Sequence, residues 1–197
     1  MSRRSIHHDC NNVFTPPAFG NSYDTSMKLA ATVLLCTIAM TAQTNSKSAL
    51  ISTSQAFYSV AKDDILKSAD KIPDNLWSFQ PTPEVRTVAQ LFAHVADGQY
   101  EFCSATQGNQ IDKGVEKTAK TKAQIVTALK EAFAYCDAAF AKMNDASAVE
   151  TVTFFGRPMT RIGVIDFNTA HTMEHYGNLV TYMRFKGIVP RSSEPRK

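Results

Sequence analysis

Clusters of basic residues, long apolar runs and glycine-rich phosphate loops are all missing from this 197-residue chain, and histidine is scarce. Each gap excludes something. Without a basic run or interleaved aromatics, the formal net charge of +3 gives nucleic acid no footprint, so it is not expected as a partner. No apolar run reaches the roughly 20 residues of a stable membrane span. There is no dinucleotide fingerprint, no P-loop and no Ser-His-Asp order, which removes nucleotide chemistry and serine hydrolysis from consideration. There is no internal repeat. What remains is 44% hydrophobic and 20% charged, a composition suited to one globular domain.

The N-terminus reads separately. Met27-Lys28, an apolar stretch from Leu29 to Met40 and polar Gln43 to Ser46 have the tripartite form of a secretory signal. Residues 27–42 are read as that signal, with cleavage after Ala42. Residues 1–26, rich in Asn, Pro and Ser, form an unstructured upstream extension, and 46–195 form the domain. The protein is therefore expected to be exported, periplasmic or secreted.

In the domain, Ser48 to Lys71 has apolar residues at helical spacing. Thr87-Val-Ala-Gln90 and Thr121-Lys-Ala-Gln124 are capping boxes that open a second helix to about Ala105 and a third to about Asn144. Gly108 to Lys120 is polar and loop-like, Ala148 to Phe155 reads as a short extended segment, and Gly156-Arg-Pro158 as a turn. Thr160 opens a fourth helix that ends near Gly187, with Pro190 beyond. Four helices with three connections predict an all-α four-helix bundle.

The chemistry sits on two of these helices. Of five histidines, His7 and His8 lie in the upstream extension, leaving His94, His171 and His175. His171 and His175 are four apart and share a helix face. His94 lies on a polar stripe of the second helix with Asp97, Gly98 and Glu101. Three histidines with an open fourth position suit a catalytic metal site. Asp97 and Glu101 are the candidate proton acceptors, or orienting partners for His94. Gly98 is expected to leave space beside a bound ion. Asn168 and Asn178 are candidates for pocket lining, and Tyr182 for a proton donor or a buried bundle tyrosine. Cys103 and Cys136 are the domain's two cysteines. If the second and third helices are antiparallel, an axial offset on the order of 15–20 Å separates them, so two free buried thiols are expected.

Leu91-Phe-Ala-His94-Val-Ala-Asp-Gly-Gln-Tyr-Glu-Phe-Cys103 resembles the second-helix motif of the DinB-like (DinB/YfiT) family of metal-dependent enzymes. Phe155-Gly-Arg-Pro-Met-Thr160 and the stretch from His171 to Pro190 resemble its fourth-helix signature. The resemblance implies a bundle with a variant up-and-down topology and a divalent metal on His94, His171 and His175; zinc, nickel, iron and manganese are not distinguished. It departs from the cytosolic majority in the export signal and in Asn178, where many relatives have Gln. A hydrolase acting on a small molecule through a metal-bound water is the leading expectation. A non-catalytic metal or ligand-binding module and a metal-dependent thiol transferase are the alternatives. A homodimer is compatible with the pattern.

Overall fold

The computed structural model describes residues 49–195, which fall within one compact unit, Ser46–Lys197. The expectations for residues 1–26 and the signal at 27–42 lie outside the described residues. Four long helices make the frame: α1 (Ala49–Lys71), α2 (Val88–Ala105), α3 (Lys122–Lys142) and α4 (Arg161–Phe185). Both capping boxes form. Thr87 Oγ1 accepts from Gln90 N at 3.2 Å while Gln90 Oε1 accepts from Thr87 N at 2.9 Å, and Thr121 and Gln124 repeat the arrangement. These satisfy amides that a helix start otherwise leaves without acceptors. The α3 start holds, but α3 ends at Lys142, because Asn144 caps a separate turn, Asp145–Ala148. No described helix is long and apolar enough to cross a membrane.

Side-chain bonds fix the helix directions. Tyr58 Oη on α1 donates to the Phe133 carbonyl at 3.1 Å, and Lys122 Nζ at the start of α3 donates to the Ile72 carbonyl just past α1, at 2.9 Å. So α1 and α3 are antiparallel. Gln99 on α2 meets Asn168 on α4, and the Tyr182 hydroxyl donates to the Arg86 carbonyl at 3.0 Å. So α2 and α4 are antiparallel too. The connection 106–121 runs back along α2: Asp97 accepts from Val115 N and Glu116 N at 2.7 and 2.9 Å. Consequently α3 begins near the start of α2 and runs parallel to it, giving an order of up, down, down, up.

This crossover overturns the expectation of free thiols. Cys103 lies 15 residues beyond Val88 and Cys136 14 beyond Lys122. In parallel helices starting at one level, those positions come out at one height. Their Cα atoms are 5.3 Å apart and they form a disulfide, within the ordinary span of such bonds. The expected offset holds only for antiparallel helices, and α2 and α3 are parallel.

The core fills the space between the four helices with Tyr58, Ile65, Phe92, Val95, Leu129, Phe133, Ile165 and Leu179, all nearly or fully buried. Trp77, in the first connection, stacks on Phe92 at 5.0 Å between ring centroids. The third connection holds a hairpin, β1 (Thr151–Phe154) and β2 (Arg157–Thr160), paired antiparallel. Its turn is Phe155–Gly156, with φ of 48° and 74°, the left-handed pair that two-residue hairpins favour. The turn therefore precedes Arg157 and Pro158, which belong to β2 rather than to a Gly156–Pro158 turn.

Candidate metal centre

Helix α4 presents His171 and His175 one turn apart, and α2 brings His94 to them. His94 Nε2 lies 3.2 Å from His171 Nε2, and His171 Nε2 lies 3.0 Å from His175 Nε2. One ligand atom from each residue falls within 4.8 Å of the others. In a tetrahedral site with metal–nitrogen bonds of roughly 2.0–2.1 Å, neighbouring nitrogens stand about 3.3 Å apart. The spacing fits.

Protonation explains why a cation suits the cluster. His94 Nδ1 lies 3.2 Å from Glu116 Oε2, and a carboxylate only accepts, so Nδ1 carries the proton and Nε2 a lone pair. That lone pair faces His171 Nε2, which also faces His175 Nε2. One proton on His171 Nε2 cannot serve both neighbours in good geometry, whereas a cation among the three nitrogens serves all of them. Burial also favours neutral rings. It pushes the His171 imidazole down to about 3, with the neighbouring His175, His94 and Arg86 acting in the same direction. It pushes His175 down to about 4, with His94 acting in the same direction and Glu174 opposing. Neutral imidazoles are the ligating form.

Small details hold the rings. A Cβ on Gly98 would lie 2.8 Å from His171 Cε1, so this glycine makes room for the His171 ring itself, not for an ion. Phe102 packs perpendicular to the same ring at 5.0 Å between centroids. Below the histidines, Gln99 and Asn168 form a reciprocal amide pair at 3.1 and 2.8 Å, and Gln99 also donates to Thr172 Oγ1 at 2.8 Å. All three residues are buried. This network fixes the height of α4 against α2, and with it the meeting of His171 with His94.

The sequence-predicted site residues separate here. His94, His171 and His175 come together. Asp97 spends both carboxylate oxygens on the Val115 and Glu116 amides. The Glu101 side chain makes no hydrogen bond among the described residues; burial and the neighbouring Asp112 and Asp97 push its carboxyl up, while His94 opposes the shift. Asn168 lies in the buried network, whereas Asn178 and Tyr182 line a cavity of about 660 Å³ that His175 borders. Gln80, Arg86, Gln90, Glu116 and Glu174 complete much of its polar wall. Glu116, Arg86 and Gln99 escaped the sequence reading. For Gln99 there was a signal: it is a polar residue between Val95 and Cys103 on the apolar face of α2. For Glu116 there was none, because its turn has no periodicity.

The three imidazoles could thus hold one divalent cation on an antiparallel helix pair, the class of site that bundle cores build. The DinB superfamily model matches residues 58–179, and the chain belongs to that superfamily. Among solved structures, it is similar to a DinB-like protein of Bacillus cereus ATCC 10987 (TM-score 0.61, 17% identity, covering 75% of this chain and 95% of that one). A DinB-like protein of Bacillus subtilis is similar at TM-score 0.59 and 18% identity, covering 73% and 99%. A mycothiol-dependent maleylpyruvate isomerase, solved as a histidine-to-alanine mutant, follows at TM-score 0.57 and 11% identity, covering 66% and 60%. No curated protein matches.

Proposed function

We propose that this protein is a metal-dependent enzyme, a hydrolase of a small polar molecule, with His94, His171 and His175 as ligands. The observation that carries the reading is the convergence of three imidazole nitrogens beside a polar cavity of about 660 Å³. A divalent ion there supplies Lewis acidity and lowers the pKa of a coordinated water or thiol toward neutrality. The chain's own residues do the rest. Half-buried His171 and buried His175, both neutral, stay available as ligands. The walls from Arg86, Gln90 and Asn178 offer hydrogen bonds to a polar substrate. Of the two carboxylates on the α2 stripe, Glu101 is the one free to take a proton, since Asp97 is occupied by amides.

Hydrolysis is preferred to thiol transfer on one observation. The Cys103–Cys136 disulfide belongs to an oxidising compartment, which supports export and argues against a cytosolic thiol as cosubstrate. Thiol transfer remains the second reading, since a fold neighbour is mycothiol-dependent. The test is turnover of a panel of esters, lactones and amides by zinc-, nickel- and manganese-loaded protein, beside the same panel with low-molecular-weight thiols. Chelator-sensitive hydrolysis without thiol supports the proposal. Tight metal binding with no turnover in either arm makes the protein a binding module.

A further inference from the structure

The polar connection ahead of α3 places an acidic side chain behind the histidine cluster. Gly114 enters the turn at φ 60°, and the turn Val115–Thr118 is pinned to α2 by Asp97, which accepts from both leading amides. The next side chain, Glu116, is thereby delivered to His94. Arg86 Nε donates to Glu116 Oε1 at 2.9 Å, and Oε2 is left for His94 Nδ1 at 3.2 Å. Two anchors fix the carboxylate plane.

The three histidines are not held alike. Nδ1 of His171 and Nδ1 of His175 are buried with no hydrogen-bond partner. Packing holds those rings, and for His171 the walls are Gly98 and Phe102. His94 differs in having a partner at Nδ1, the Glu116 carboxylate, with 28% of its side chain exposed.

We propose that Glu116 is the positioning residue of the metal site: it keeps the proton on His94 Nδ1 and so directs the Nε2 lone pair at His171 and His175. A carboxylate behind a ligating imidazole fixes the ring and raises its basicity, and losing one costs roughly 10–100-fold in metal affinity. Here the carboxylate comes from a connection, so the crossover that makes α2 and α3 parallel also completes the site. Asp97 acts one step further back, by holding the turn that carries Glu116. The inference rests on the metal reading of the three histidines for its affinity arm, but not for its tautomer arm.

The experiment compares wild type, Glu116→Ala, Glu116→Gln and, as a surface control, Lys117→Ala. Zinc affinity is measured by competition with a chromophoric chelator, and the His94 tautomer by long-range proton–nitrogen NMR of the zinc-free protein. Glu116→Ala is expected to weaken zinc binding roughly 10–100-fold with helix content unchanged, and to abolish the fixed Nδ1–H form. Glu116→Gln, whose amide oxygen still accepts, restores the tautomer and most of the affinity. Unchanged affinity and tautomer in Glu116→Ala overturn the inference and leave the metal reading standing. Absence of zinc binding in wild type overturns the metal reading, while a tautomer lost in Glu116→Ala and regained in Glu116→Gln still upholds the positioning role. Unfolding of Glu116→Ala shifts the decision to Glu116→Gln against Glu116→Asp, whose shorter side chain should lose the His94 contact and with it the tautomer; no difference between these two overturns the inference.

Discussion

Breaking the Cys103–Cys136 bond should lower stability by an amount set by the chain it closes. The two residues are 33 apart in sequence. The chain-entropy relation for a loop of that length gives about 12.5 cal/mol/K, or about 3.7 kcal/mol at 25 °C. For a domain of this size, that corresponds to a fall in Tm of roughly 7–15 °C. Both cysteines are fully buried, so a reductant added to native protein acts slowly. Reduction is therefore done in denaturant, and the protein is refolded with reductant present. Circular dichroism melts of oxidised and reduced protein, each with a thiol titration, make the comparison. Two reactive thiols in denatured, never-reduced protein would show that the bond does not form. Coincident melts with a confirmed difference in thiols would show that the cross-link adds no stability by restricting the unfolded chain, which refutes the entropic reasoning.

Three further outcomes are expected. Gly98→Ala should push the His171 ring aside and sharply reduce metal uptake at near-normal helix content; full uptake by elemental analysis would contradict the steric role. Asn168→Leu should cost about 1–3 kcal/mol in urea unfolding, because it leaves the buried Gln99 Oε1 without its donor while Nε2 keeps Thr172; an unchanged midpoint would count against the network. Because the folded His171 and His175 values lie near 3 and 4, below the unfolded value of about 6.5, the unfolded metal-free chain binds more protons in that window. Stability of the metal-free protein should fall as pH drops from about 6.5 toward 4, by at most about 1.4 kcal/mol per pH unit per histidine and less where solvent reaches the ring. Urea midpoints that are flat across this window would show that the rings are not held neutral by burial.

Much of this molecule is legible in its sequence because its signals are local. The capping boxes at Thr87 and Thr121 mark helix starts through contacts three residues long. His171 and His175 declare a shared face by spacing alone. What stayed hidden depends on where the chain goes between helices. The stretch Gly108–Lys120 reads as loop, yet its path decides whether α2 and α3 are parallel. The disulfide and the Glu116–His94 contact both follow from that path. The stripe that Asp97 shares with His94 is visible from spacing; its two amide partners, 18 and 19 residues on, leave no periodic trace.

A three-histidine metal centre is read out directly by the metal content of the purified protein. Protein made without a histidine tag, reconstituted and desalted, should contain one divalent ion per chain by elemental analysis. His94→Ala, His171→Ala and His175→Ala should each lose most of it, and Glu174→Ala should keep it. Full occupancy in His94→Ala, or no metal in wild type after reconstitution, would exclude a three-histidine centre.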